Sequence, residues 1–394
     1  MTLPSVYLHA LGMVNALGGD VDSIATALAS GESPGMGRMR MQHGDAFVGR
    51  VTGSLDIAPP VALAHFDCRN NRMLLAALEQ IRPDIEAARE RYGSARIGVI
   101  VGTSTSGVGA AEEAFAHRTR AGCLPQTFDY RQMEIGTAAP FAAAALGLHG
   151  PAFTISTACT SSAKAFAAAR RLLQLKLCDA MIVGGCDTLC ELTSQGFASL
   201  ESTSLARTNP MSRNRSGINI GEGAAVFLMT RDEGAVRLAG AGESSDAHHI
   251  SAPDPRGVGG ELALRAALAD AGVKPADIGY VNLHATATRK NDAMESHLLA
   301  RVFAEGVPAS GTKPFTGHLL GAAGATELGL AWMTLARSGM PLPLHQWDGM
   351  ADADLPALDL VQEARRLSHE AGTRYVMSNS FAFGGSNVSL ILAG

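Results

Sequence analysis

Pro151-Ala152-Phe153-Thr154-Ile155-Ser156-Thr157-Ala158-Cys159-Thr160-Ser161-Ser162-Ala163 is the stretch on which the reading of this chain turns. The apolar run from Pro151 to Ile155 gives way to helical spacing, with Ala163, Phe166, Ala167, Leu172 and Leu173 recurring along Ser161 to Leu177. Ala180-Met181-Ile182-Val183-Gly184-Gly185 then reads as a buried strand. Strand, turn, helix and strand form the unit of an α/β protein, and here a cysteine sits where strand turns into helix. A thiol at a helix start meets unpaired backbone N–H groups and the positive end of the dipole, which predicts a lowered pKa. A buried free cysteine acting as a small hydrophobe is the alternative, and it is the better account of Cys178, Cys186 and Cys190.

The alternation continues on both sides. A helical stretch from about Arg69 to Tyr92 precedes a strand at Arg96 to Gly102. Further strands are expected at Ala224 to Met229, Ile278 to Leu283, Tyr375 to Met377 and Asn387 to Leu392. Short apolar strands punctuated by helices imply sheets covered on both faces. Val6 to Leu28 reads strand, Gly-rich turn and helix, and Val236 to Val273 repeats that order with a longer loop. The echo divides the chain into halves at 1–232 and 233–394, meeting at the polar Arg231-Asp232-Glu233-Gly234.

The bulk properties exclude several classes. With 394 residues, 46% hydrophobic and 18% charged, the chain is globular with room for an ample core. A net charge of −5 gives no overall basic field for nucleic acid. The longest apolar run, Ala138 to Leu148, is well short of the roughly 20 residues of a spanning helix. The six cysteines form no CxxC pair, no zinc-site spacing fits Cys186 and Cys190, and no metal site is expected. No leader with a cleavage site is legible, so the expected setting is a reducing cytoplasm. Gly102 to Gly109 follows a strand but reads GTSTSGVG and not GxGxxG, which argues against a dinucleotide fold.

Two histidines stand out downstream. His284 ends an expected strand and opens Ala285-Thr286-Ala287-Thr288, the kind of strand C-terminus where catalytic groups face a crevice. Taken alone, a histidine there is more often a satisfied core residue. Asn291-Asp292-Ala293-Met294-Glu295 looks like a capping box for a helix from about 293 to 304, a structural role for Asp292 and Glu295. His318 lies in Lys313-Pro314-Phe315-Thr316-Gly317-His318-Leu319-Leu320-Gly321-Ala322-Ala323-Gly324-Ala325, whose small residues permit very close helix packing. Lys313 and Glu327 flank it, to orient the imidazole or to form a surface ion pair. Ser378 to Asn387 is a Gly-rich turn between strands whose N–H groups could face an oxyanion.

These segments together resemble the β-ketoacyl-acyl carrier protein synthases of the thiolase-like superfamily, along essentially the whole chain. TACTSSA, NLHATATRKNDAMES, TKPFTGHLLGAAGA and NSFAFGGSN occur in the family's order. The resemblance implies a five-layered α-β-α-β-α fold from two similar halves and an elongating acyltransferase of the Cys-His-His type. It makes Cys159 the acyl acceptor and His284 and His318 the donors to a malonyl thioester. It places Lys313 and Glu327 around His318, and makes the N–H groups of Cys159 and Phe383 an oxyanion hole, Phe383 doubling as gate. It further implies pantetheine contacts at Thr286 and Thr288, an acyl-pocket floor at Ala110 and Ala111, and acidic-carrier docking at Arg69, Arg72 and Arg207, with Arg289 and Lys290 nearer the tunnel mouth. No cofactor is expected on the chain itself, since 4'-phosphopantetheine arrives on the acyl carrier protein. The expected assembly is a homodimer or a heterodimer with a related subunit; a catalytically weak, chain-length-shaping partner subunit is the alternative. Departures include Ala285 and Arg289 where the family usually has glycine and proline, and Ser212 and Ser216 for aspartates. With small residues at the pocket floor, specialised polyketide or aryl-polyene-type synthesis stands beside fatty-acid elongation.

Overall fold

The computed structural model describes residues 3–42, 44–368 and 372–394. The first half runs β1 (Tyr7–Val14), α1 (Val21–Ser30), β2 (Met36–Met41), β3 (Gly44–Gly49), α2 (Arg69–Gln80), α3 (Arg82–Tyr92) and β4 (Ile97–Gly102). It continues through α4 (Val108–Ala121), α5 (Ala138–Ala145), β5 (Ala152–Ile155), α6 (Ser161–Gln174), β6 (Ala180–Asp187), α7 (Glu191–Ser199) and β7 (Gly223–Thr230). The second half runs β8 (Arg237–Ser245), α8 (Val258–Ala271), β9 (Ile278–Asn282), α9 (Arg289–Val302), β10 (Ala309–Ser310) and α10 (Lys313–Thr316). It closes with α11 (Ala323–Ala336), β11 (Tyr375–Phe381) and β12 (Ser386–Ala393). The helical stretch expected from Arg69 to Tyr92 is broken at Ile81, because Pro83 cannot donate to a carbonyl four residues back. Among the described residues no helix is long and apolar enough to cross a membrane.

Ten strands pair in the order β10-β9-β11-β12-β8-β1-β7-β6-β4-β5. Read outward from the centre, β1-β7-β6-β4-β5 and β8-β12-β11-β9-β10 have the same order, antiparallel near the centre and parallel at the rim. Among the described residues the two half-sheets join where β1 meets β8, at Tyr7 with Arg237, flanked by the hydrogen bonds Leu8 N to Val236 O and Leu238 N to Val6 O.

Side-chain alternation sorts the core into layers. On β7, Ala225, Phe227 and Met229 face the middle of the molecule, while Ala224, Val226 and Leu228 face outward toward α2 and α5. On β12, Val388, Leu390 and Leu392 face the middle, and Ile391 and Ala393 face α8 and α9. Helices α6 and α11 fill the middle layer, linked by Phe227, whose ring lies edge-on to Phe166 at 5.4 Å and to Trp332 at 5.9 Å. The result is helix, sheet, helix, sheet, helix. Since α11 touches both half-sheets, residues Ala323–Leu335 are buried on every side apart from the half-buried Trp332.

So tight a middle layer requires glycine. A Cβ on Gly324 would lie 2.8 Å from both the Cβ and the backbone nitrogen of Ala163 on α6. Gly324→Ala is expected to cost about 1–3 kcal/mol by overpacking, seen as a lower thermal unfolding midpoint with an unchanged far-UV spectrum.

Candidate active site

The turn between β5 and α6 aims the thiol. Ala158 is held at φ +52°, a left-handed conformation that costs an L-residue energy and bends the chain so that Cys159 precedes α6 by two residues. Two more such positions flank the histidines: Ala285 at φ +36° and Leu320 at φ +49°. The family glycine replaced by Ala285 would carry this conformation without strain, and its methyl instead lies against Gly311, where an added Cβ would approach to 2.4 Å.

Cys159, His284 and His318 converge, with Sγ and one ring nitrogen from each histidine all within 4.8 Å of one another. His318 Nε2 lies 3.0 Å from Cys159 Sγ. The two imidazoles meet edge to face, centroids 5.4 Å apart, and Phe381 closes the far side of His284 at 6.0 Å. Backbone holds His318 in place: its N–H donates to Asn219 O at 2.7 Å, and its carbonyl accepts from Gly221 N at 2.9 Å.

Lys313, expected beside His318, hydrogen-bonds His284 and acts on His318 through its charge. Its ammonium donates to Glu327, to His284 O at 2.5 Å and to His284 Nδ1 at 3.3 Å. Three donors thus meet three acceptors, and a cation against Nδ1 leaves the His284 proton on Nε2. His318 Nδ1, by contrast, is buried with no hydrogen-bond partner among the described residues. Burial, then the Lys313 charge, holds both imidazoles well below their ordinary pKa, hence neutral. Burial pushes the Glu327 carboxyl up to about 7 against the pull of Lys313.

The thiol corrects the expectation from its helix position. Burial pushes Cys159 up to about 12, and the opposing pulls of Lys313 and the Phe383 N–H are smaller. The same N–H places Phe383 as a donor at the sulfur, while its ring packs on Phe197 at 5.3 Å.

Asp292 and Glu295 are structural, but not as a capping box. Thr288 caps α9, which starts at Arg289, four residues earlier than expected. Glu295 instead accepts from the N–H groups of His284 and Ala285, both at 2.7 Å, and Asp292 from Met211 and Ala287. Of the two serines that stand for aspartates, Ser212 donates to Asp348 at 2.8 Å and Ser216 to Ser204 Oγ at 2.9 Å, while buried Arg215 between them pairs with Asp352.

A cavity of about 470 Å³ opens on the three residues. Thr286, Thr288, Arg289, Lys290, Phe197 and Phe383 all line it. Ala110 and Ala111 do not: α4 turns Ala110 toward a separate outer hollow and buries Ala111, so the expected pocket floor is no part of the Cys159 cavity within one chain. Arg69 and Arg72 border that same outer hollow and are committed to carboxylates. Arg69 Nε donates to buried Glu222 at 2.9 Å, and Arg72 Nε to Asp67 at 2.6 Å. Arg207 reaches Pro314 O and Gln346 Oε1, both at 3.3 Å. Phe197, Phe381 and Arg215 were not found from sequence, since nothing local distinguishes them from core or surface residues.

Two outcomes follow from the buried charges. Lys313→Met, which strands Glu327, should cost about 3–5 kcal/mol of unfolding free energy, and Lys313→Met with Glu327→Leu should recover most of it in denaturant titrations. Alkylation of Cys159 by iodoacetamide should keep accelerating as pH rises from 7 through about 9.5, since a thiol raised by burial gives up its proton only at high pH; a plateau below pH 8 would mark a stable thiolate.

Known proteins resemble this chain along nearly its whole length. Residues 65–235 match the family model for the N-terminal domain of β-ketoacyl synthases, and residues 235–346 that for the C-terminal domain. A 3-oxoacyl-[acyl-carrier-protein] synthase 2 of Vibrio cholerae is 30% identical, over 99% of both chains. Nodulation protein E of Rhizobium meliloti is 32% identical over 75% of both. Among solved structures, the ketosynthase ApeO in complex with its chain length factor ApeC, from Xenorhabdus doucetiae, superposes with a TM-score of 0.94 at 45% identity, covering 99% of this chain and 98% of that one. The fold, the placement of Cys159 with two histidines, and these matches lead to one conclusion: the chain belongs to the β-ketoacyl synthase family, whose members are acyltransferases that join acyl chains carried on acyl carrier protein.

Proposed function

We propose that this chain condenses malonyl-acyl carrier protein with an acyl group held as a thioester on Cys159, giving 3-oxoacyl-acyl carrier protein and CO2. The observation that carries the reading is the 3.0 Å contact of His318 Nε2 with Cys159 Sγ, beside a second imidazole whose tautomer Lys313 fixes.

In the loading half, the thiol proton passes to His318 Nε2 as Sγ attacks the acyl-carrier thioester. The oxyanion accepts from the N–H groups of Cys159 and Phe383, such donors being worth about 3–4 kcal/mol each. The carrier sulfur leaves with the proton held by His318. In the second half, malonyl thioester enters along Thr286 and Thr288. Its carbonyl accepts from Nε2–H of His284 and of His318, the latter having accepted the thiol proton and passed it to the carrier sulfur in the first half. CO2 departs, the enolate carbon bonds to the acyl carbonyl, and the expelled Cys159 thiolate regains a proton from solvent. Neutral imidazoles suit this role, because a carbonyl becoming an enolate needs N–H donors and no proton source strong enough to quench the carbanion.

The arm is brought by the carrier protein, so the chain needs no cofactor of its own, and the setting is cytoplasmic. For docking of the acidic carrier, the exposed Arg289 and Lys290 at the cavity are better placed than Arg69 and Arg72, whose charges are already spent on Glu222 and Asp67. The likeness to a ketosynthase held with its chain length factor supports pairing with a related subunit, of which this chain, with Cys159 and both histidines, is the catalytic member. Specialised polyketide or aryl-polyene-type synthesis fits that pairing better than housekeeping elongation.

Intact mass after mixing with short, long and aryl-conjugated acyl-carrier proteins tests the reading. One acyl group on Cys159, lost in Cys159→Ala, is expected; no adduct with any donor, alone or with a related subunit, would overturn it. Arg289→Glu with Lys290→Glu should raise the carrier KM about 10-fold with kcat unchanged, measured by steady-state condensation.

A further inference from the structure

Asp187 ends β6, fully buried, and its carboxylate is divided between two loops. Oδ1 accepts from Thr103 Oγ1, Ser104 N, Thr105 N and Thr105 Oγ1, each at 2.7 Å. Oδ2 accepts from Ala322 N at 2.9 Å. The first loop supports the nucleophile's turn, because Ser104 Oγ donates to the carbonyl of Ala158 at 3.3 Å, one residue before Cys159. The second loop carries His318: Ala322 lies in the single turn Leu320–Ala322 that leads from the imidazole into α11. One carboxylate therefore ties the backbone beneath the thiol to the backbone beyond the imidazole.

Gly321 shows how little slack remains. A Cβ there would lie 2.7 Å from Ser104 N and 2.8 Å from Asp187 Oδ2, so no side chain fits between the loops. From the opposite side, Asn219 and Gly221 hold the His318 backbone. The turn is clamped between these partners and Asp187.

We propose that Asp187 is a positioning residue for the condensing reaction, holding the His318 turn at the separation from the Cys159 turn that the thiol–imidazole contact requires. The inference rests on the assignment of Cys159 and His318 to the chemistry. Its logic lies in donor counting. All five groups facing the carboxylate donate, and a carboxylate is acceptor-only. An asparagine can turn its carbonyl oxygen to the four donors of residues 103–105, but its amide NH2 then faces the Ala322 N–H. Asp187→Asn thus keeps the clasp on the first loop and sets donor against donor at the second. Gly321→Ala pushes the same turn from the same side without altering any charge.

The full-length protein, with its partner subunit where activity requires one, provides the test. In Asp187→Asn and Gly321→Ala, kcat for condensation should fall about 10- to 100-fold, with the carrier KM within about twofold of wild type. Iodoacetamide alkylation of Cys159, followed by intact mass, should change in both variants, because it reads the thiol–imidazole contact without any condensing substrate. That separates failure of this proposal from failure of the condensing reading. Asp187→Glu, which keeps two acceptor oxygens, should recover most of the lost rate. Thr105→Val, which removes one donor to the same carboxylate but leaves the His318 turn alone, should lower the unfolding midpoint and keep kcat. The proposal is overturned if Asp187→Asn or Gly321→Ala retains kcat within about twofold, or if Thr105→Val loses as much rate as Asp187→Asn. Should Asp187→Asn fail to fold, Gly321→Ala alone decides.

Discussion

A single buried ammonium organises this site. Lys313 comes from α10, Glu327 from α11 and His284 from the end of β9, and Lys313 Nζ donates to the other two residues. A charge with 2% side-chain exposure persists only when paired and fully hydrogen-bonded, so the three segments have little freedom relative to one another. The arrangement also works electrostatically: a fixed positive charge beside two imidazoles opposes their protonation and keeps them as neutral donors. It is α11, enclosed by both half-sheets, that brings Glu327 to this place, so the layered architecture supplies the charge that the chemistry uses.

Burial has the opposite effect on the nucleophile. A helix start favours a thiolate, yet enclosure outweighs it and leaves the free thiol hard to ionise. Activation then falls to neighbours supplied by the second half of the chain, His318 Nε2 and the Phe383 N–H. The resting site therefore keeps a protonated, weakly reactive sulfur, and nucleophilicity depends on a proton acceptor at 3.0 Å.

The reacting groups became legible through the resemblance of TACTSSA, NLHATATRKNDAMES and TKPFTGHLLGAAGA, taken together and in order, to a known family, since each residue alone had an ordinary structural account. The left-handed Ala158 before the thiol shows only in the fold. Strand positions were likewise readable from apolar runs, and the repeated strand order was foreshadowed by the echo between Val6 to Leu28 and Val236 to Val273. What sequence could not show was pairing across the chain. Lys313 precedes His318 by five residues and was naturally assigned to it, whereas the α10 turn carries its ammonium to His284. Glu295 has capping-box spacing from Asp292, but the helix begins earlier, freeing its carboxylate for the backbone of His284 and Ala285. Asp187 carries no motif at all, and its importance appears only when Ala322 arrives from 135 residues away.

The shared middle layer also dictates when the protein can become itself during synthesis. Once residue 232 has emerged, the five strands of the first half-sheet and α6 are out, but the inward faces of Phe166, Phe227 and Met229 still await α11 and β12. The innermost strand β8 pairs with β12, Ser386–Ala393, so the second half-sheet cannot close until those residues have emerged. A nascent or truncated chain thus bears a wide apolar face and a thiol without its imidazole, a sticky and chemically silent intermediate. A chaperone or a partner subunit that covers the exposed layer would protect that intermediate from aggregation.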